Sequence, residues 1–180
     1  MIRQARKNLQ QLERYITAAR QQLKMHGDPA VFSVRHELHQ VTRFMKPLAQ
    51  QAGVKLTITQ ACNYKLYGDP VKFNQLVANL TANAIDAYNG VQQQNVSKRI
   101  EVIVRQSSRW ITVRVSDWGS GLSTEKLPQV FMPFYTTKAD SGMGIGLAMV
   151  KRIAEEDFHG SISVTSSSAQ GTCFTVKLAR

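Results

Sequence analysis

The apolar residues of this chain change period several times, and each change marks an element. Between residues 2 and 26, Ile2, Ala5, Leu9, Leu12, Ile16, Ala19 and Leu23 recur at alternating spacings of three and four. The residues between them are mostly Gln, Arg, Lys and Glu. This pattern predicts a helix with one narrow apolar seam, of the kind that packs on another helix in a bundle or coiled coil. Gly27, Asp28 and Pro29 break it. A second helix is predicted from about Val34 to Ala52, ended by Gly53. Lys55–Thr59 then alternates as a strand.

Asp69 followed by Pro70 reads as a helix start, an N-cap acceptor with proline at the first helical position. That helix runs to about Tyr88. The period drops to two near Ile100–Arg105 and Ile111–Ser116, around a link of Gln106, Ser107, Ser108 and Arg109. Ile111, Val113 and Val115 alternate with Thr112 and Arg114, as in a sheet with one covered face. A long loop fills about 120–143. A helix follows from about Ile145 to Asp157, then strands near Ser161–Thr165 and Thr172–Leu178. Together these elements predict a two-layer α/β sandwich. The lack of repeated strand–helix–strand units argues against a doubly wound dinucleotide fold. The domain boundary falls at the breaker, giving a helical segment 1–28 and a globular domain 29–180.

Composition narrows the picture. A length of 180 residues suits one domain plus an extension, and 43% hydrophobic residues can supply a core. No apolar run approaches the ~18 residues needed to span a bilayer, and the polar start at Met1–Lys7 does not read as a signal peptide. Cys62 and Cys173 fit no metal spacing and read as buried, reduced thiols of a reducing compartment. The net charge of +11 calls for an anionic partner or a basic solvated surface. The basic residues are scattered and no nucleic-acid motif occurs, so nucleic acid is not the expected partner.

Four short stretches carry the chemistry. Gln75, Asn79 and Asn83 share one helix face, with Asp86 near it, and Leu76, Leu80, Ala84 and Ile85 lie toward the sheet. Asp117 ends a strand and opens Asp117-Trp118-Gly119-Ser120-Gly121, which alone could be an ordinary turn. Phe131 and Phe134 flank Pro133 in the long loop, and Lys138 follows. Gly142, Gly144 and Gly146 lead into Leu147 and a helix, whose free N–H groups and dipole favour phosphate.

In this order the stretches resemble the N, G1, F and G2 boxes of the ATP-binding domain of sensor histidine kinases, over roughly residues 33–180. The resemblance implies a mixed, mainly antiparallel sheet under helices, the Bergerat-type fold. It implies ATP and Mg²⁺ as ligands, with Asn83 on the metal, Asn79 at the phosphate end and Asp86 nearby. Asp117 would read the adenine amino group, with Gly119, Gly121 and the turn of Gly171 and Thr172 around it. Lys138 would meet a phosphate or solvent. Gly142, Gly144, Gly146 and Leu147 would line the phosphate loop, and the segment around Phe131 and Phe134 would hinge an ATP lid.

The ATP hydrolases that share this fold place a Glu four residues before the metal-binding Asn, as general base for water. Here that position is Asn79, and an amide takes no proton at neutral pH. The resemblance therefore implies phosphotransfer to a histidine, with relay to a response regulator. Two other readings stand beside it: a noncatalytic ATP-binding regulator and, behind that, a hydrolase. His36-Glu37-Leu38 is a poor match to the acceptor box. Pro47 is too distant, and the 47 residues from His36 to Asn83 leave no room for a hairpin. His26, His39 and His159 have no acceptor setting either. The acceptor is therefore expected upstream or on a separate protein. Residues 1–28 resemble the second helix of the dimerisation hairpin, which implies a homodimer. The implied location is cytoplasmic, including the cytoplasmic portion of a membrane sensor.

Overall fold

In a computed structural model, residues 27–60, 63–89, 98–136, 144–167 and 170–180 are described. The seam helix expected over 2–26 lies outside them.

The first described element is a short strand, β1 (Ala30–Ser33), which runs directly into helix α1 (Val34–Gln51). Ser33 caps α1 by accepting from the His36 amide at 3.2 Å. Val34, Leu38, Val41, Met45 and Ala49 form its buried stripe. Gly53, at φ 68°, ends it in the left-handed region. Strand β2 (Lys55–Gln60) follows, then β3 (Lys65–Gly68) and helix α2 (Pro70–Asp86). The cap on α2 is Asp69, as the sequence predicts, accepting from Val71 N and Lys72 N. Phe73, Leu76, Val77, Leu80, Ala84 and Ile85 are buried along one side of α2.

Four further strands complete the chain: β4 (Arg99–Gln106), β5 (Trp110–Asp117), β6 (Ser161–Ser167) and β7 (Gly171–Ala179). They join β2 in one sheet of order β2-β4-β5-β7-β6. Among the described residues, only the β2–β4 pair of this sheet is parallel; the others are antiparallel. Ile100, Val102, Val104, Ile111, Val113, Val115, Phe174, Val176 and Leu178 face inward and pack with the helical stripes in one core. At about 25 cal/mol per Å² of apolar surface, this layer-on-layer burial is the main stabilising term. The opposite face carries Thr112, Arg114, Ser116, Thr175 and Lys177, the polar half of the alternation.

Four features differ from the sequence expectation. β1 and β3 pair as a separate antiparallel ribbon that the sequence does not announce. The long loop contains a 3₁₀ turn at Thr124–Gln129. The helix expected over 145–157 is α-helical only in α3 (Gly146–Arg152), and Ile153–Asp157 widen into a π turn. Its signature is the Phe158 amide donating to the Ile153 carbonyl, five residues back, at 3.1 Å. Finally, Cys173 is not a core thiol. It is half-buried on the polar face of β7, where its Sγ accepts from Arg114 Nε at 3.0 Å. Cys62 lies outside the described residues. Among those residues, no helix is long and apolar enough to cross a membrane.

Candidate functional site

The C-terminal half of α2, the end of β5 and the start of α3 converge. Asn79 and Asn83 lie one turn apart on α2 and are half-buried. The first residue of α3 comes up against them. A Cβ on Gly146 would stand 3.3 Å from Asn79 Oδ1 and 4.0 Å from Asn83 Nδ2. Glycine at this position keeps the space between the two amides and the helix N-terminus clear of side-chain atoms. Leu147 is half-buried and packs on the core. Asp86, half-buried near the end of α2, accepts from Asn89 Nδ2 at 3.3 Å.

The acidic end of the site is tied to the same helix by backbone. Asp117 closes β5 with only 4% of its surface exposed. Its Oδ1 accepts from Gly119 N at 2.9 Å and Thr172 N at 3.3 Å. Burial pushes its carboxyl up from the ordinary 3.8 to about 6, against the pull of those two amides. Gly119 is required by contact: a Cβ there would lie 2.5 Å from the Ala87 carbonyl oxygen, just past α2. That carbonyl also accepts from Ser120 N at 3.0 Å. Gly121 takes a positive φ of 65° in the same turn.

The sheet register places Thr172 opposite Asp117 and Ser166 opposite Thr172. Thr172 is buried; its amide serves Asp117, and its hydroxyl lies 2.9 Å from Ser166 Oγ. Ser166 in turn accepts from Leu122 N at 2.8 Å and donates to the Gly171 carbonyl at 2.9 Å. Sequence reasoning missed Ser166, which sits in a serine-rich run indistinguishable from a solvated edge. It also missed Tyr88. The Tyr88 hydroxyl donates to the Arg99 carbonyl at 2.5 Å and accepts from Arg99 N at 3.1 Å and Trp118 N at 2.9 Å. One phenol thereby fixes the end of α2 to β4 and to the turn after Asp117. The Arg99 guanidinium lies 4.1 Å over the Trp118 ring beside it.

Phe131 meets Phe174 of β7 edge-on, ring centroids 6.2 Å apart, whereas Phe134 is 66% exposed. Phe134 has a positive φ of 65°, uncommon for a bulky residue. Its amide donates to the Gly144 carbonyl at 2.8 Å. Gly144, also at φ 65°, lies so close that a Cβ would meet the Phe134 backbone at 2.5 Å. This clamp brings residues 134 and 144 together immediately before α3. Lys138 and Gly142 lie outside the described residues. The site thus unites Asn79, Asn83 and Gly146 at one end and Asp117, Gly119 and Thr172 at the other, along one helix.

Comparison with known proteins identifies a family and a fold. The family model described as "Histidine kinase-, DNA gyrase B-, and HSP90-like ATPase" matches residues 68–180. The sensor histidine kinase ZraS of Escherichia coli K12 is 36% identical over 114 residues, covering 63% of this chain and 23% of that protein. The autoinducer 2 sensor kinase/phosphatase LuxQ of Vibrio parahaemolyticus is 29% identical over 154 residues, covering 82% of this chain and 18% of that protein. The chain thus spans about a fifth of the length of these relatives. The solved catalytic domain of histidine kinase ThkA superposes with a TM-score of 0.73 at 19% identity, covering 85% of this chain and 96% of that one. That likeness establishes the fold.

Proposed function

The chain belongs to the histidine kinase-, DNA gyrase B- and HSP90-like ATPase family, and on that premise we propose that it holds ATP for a sensor histidine kinase and offers the γ-phosphate to a histidine outside its own 180 residues. The phosphoryl group then passes to a response regulator. The seam of residues 2–26 belongs, in this reading, to a dimerising helical hairpin. Residues 1–28 supply the second helix of that hairpin and 29–180 the ATP domain, in the cytoplasm.

The observation that carries the proposal is the amide of Asn79 at the phosphate end. Its Oδ1 borders the space kept open by Gly146. In hydrolases of this fold a carboxylate in the corresponding position takes a proton from water. An amide cannot, so the site positions the phosphate without activating water. Positioning and charge neutralisation are what phosphoryl transfer chiefly needs.

The residues present fit the nucleotide. Asp117 Oδ1 is engaged by two backbone amides, leaving Oδ2 to accept from an exocyclic amine. Gly119 lets the turn after Asp117 pack against the Ala87 carbonyl, which fixes the carboxylate beside the end of α2. Asn83 offers a hard oxygen suited to Mg²⁺, which would supply neutralisation of the phosphate charge when bound. Gly146, the first residue of α3, stands beside the Asn79 and Asn83 amides, and the free N–H groups of a helix start favour phosphate.

The test is the fate of the γ-phosphate. The chain should bind MgATP by calorimetry while free phosphate release stays at background. Asn79→Glu should add slow phosphate release by restoring a base. Efficient release by the unaltered chain would make it a hydrolase and overturn the reading.

A further inference from the structure

Asp69 holds two parts of the chain with one carboxylate. Oδ1 accepts from Val71 N at 2.7 Å and Lys72 N at 3.3 Å, which caps α2. Oδ2 reaches 42 residues back along the sequence and accepts from Gly27 N at 2.8 Å. The carboxylate is only 6% exposed, where a bond between a charged acceptor and an amide is strongest. The fit is close: a Cβ on Gly27 would lie 2.7 Å from Asp69 Oδ1 and 3.1 Å from Val71 Cγ2. The ribbon continues the hold, since the next pairing is Ala30 with Gly68, the residue before Asp69. The backbone that follows the seam segment is therefore fastened to the first turn of α2.

That helix carries the phosphate end of the site. Asn79 and Asn83 lie about 15 and 21 Å along it from Asp69, at roughly 1.5 Å per residue. α2 is also coupled to α3. Lys72 Nζ pairs at 2.5 Å with Asp157 Oδ1 of the π turn that continues α3, and Gly146 at the start of α3 abuts Asn79. Asn74 Nδ2 donates to Glu37 Oε2 of α1 at 2.6 Å. A displacement of the first turn of α2 is therefore carried along one continuous helix to Asn79 and Asn83 and to Gly146 beside them.

We propose that Asp69 is a positioning residue that joins the backbone at Gly27 to the nucleotide site, so that the way residues 1–26 are held alters how Asn79 and Asn83 meet the phosphates. It rests on the ATP-binding reading above. The coupling is reciprocal: nucleotide in the site must act on Gly27 as Gly27 acts on the site. A neutral cap cannot do both jobs. Asparagine supplies one acceptor for Val71 and Lys72, but its amide then turns N–H toward the Gly27 N–H.

The experiment uses the 180-residue chain, its Asp69→Asn variant and Asp69→Ser as a second cap-preserving change. Amide exchange and chemical shift at Gly27, Val71 and Lys72 are read by NMR, with and without MgADP and a nonhydrolysable MgATP analogue. Calorimetry measures nucleotide binding in parallel. In the unaltered chain the Gly27 amide should be protected and should respond to the analogue. In both variants Gly27 exchange should rise roughly tenfold or more, Val71 and Lys72 should keep their protection, and the nucleotide response at Gly27 should vanish. A merely structural cap predicts no nucleotide response at Gly27. Nucleotide that binds the unaltered chain without changing Gly27, or changes it equally in the variants, overturns the joint and leaves the ATP reading standing. Absence of nucleotide binding by the unaltered chain overturns both.

Discussion

Replacing Asp117 by asparagine should make the free protein more stable and its nucleotide complex weaker. Asparagine keeps an oxygen for the Gly119 and Thr172 amides but removes a buried charge. The native carboxyl titrates at about 6 instead of 3.8 because of that burial. A rise of roughly two pH units, at about 1.36 kcal/mol each, means its ionisation costs the fold up to about 3 kcal/mol at neutral pH. The sign follows from proton counts. Between about pH 4 and 6 the unfolded chain has released this proton while the native chain retains it, so stability falls as pH rises through that window and levels off above it. Asp117→Asn has no buried carboxyl to ionise, so its advantage should be near zero at pH 4 and approach its full size by pH 7. At about 2–4 °C per kcal/mol the gain is on the order of 10 °C in Tm at most. Nucleotide binding should move the other way. A bond from an exocyclic amine to a charged acceptor is worth roughly 1.5–3 kcal/mol, so affinity should fall about ten- to hundredfold. Binding by the unaltered chain should also weaken below about pH 6, as the carboxyl protonates, and the variant should lack that component. Paired thermal melts and calorimetric titrations from pH 4 to 8 decide it. A variant no more stable at pH 7, or one with unchanged affinity, would refute the assignment of Asp117 as a desolvated acceptor for the base.

Asn83→Ala should leave the melting temperature within a few degrees and reduce the Mg²⁺ dependence of ATP binding, read by titrating nucleotide with and without the metal. Gly119→Ala should cost about 1–3 kcal/mol by overpacking, because its Cβ would fall 2.5 Å from a carbonyl that is itself held by Ser120 N. Denaturant melts measure this loss, and nucleotide affinity should fall with it as the turn moves away from Asp117.

Much of this architecture is legible in the sequence because burial imposes its period. The inward residues of β4 and β5 alternate without a break, and Asp69 and Gly53 mark helix ends through a hydrogen bond and a backbone preference of their own. The β1–β3 ribbon is not legible for a physical reason. Each strand has four residues, and its register pairs Val31 with Tyr67, two apolar side chains that are 66% and 64% exposed. Binary pattern there contradicts burial. The π turn escapes notice because Met149, Val150, Ile153, Ala154 and Phe158 fit a helical stripe whether or not the last turn widens. The widening seats Phe158 under Gly68, where a Cβ would be 2.5 Å from the ring. At the site, sequence motifs point to Asn79, Asn83, Asp117 and the glycines. They do not point to Ser166 or Tyr88, whose roles come from register and from chain segments meeting across the fold. The three bonds of Asp69 are only partly legible: the two that cap α2 are local, whereas the one to Gly27 is not.

The most direct measurement of the central claim follows the γ-phosphate of labelled ATP. The chain is incubated with Mg²⁺ and γ-labelled ATP, alone and with a separate helical hairpin bearing an acceptor histidine, and the products are mapped by peptide. The account predicts acid-labile label on the hairpin histidine and none on the chain alone. Label on His36 of the isolated chain, or ATP binding without transfer to any offered histidine, would contradict it.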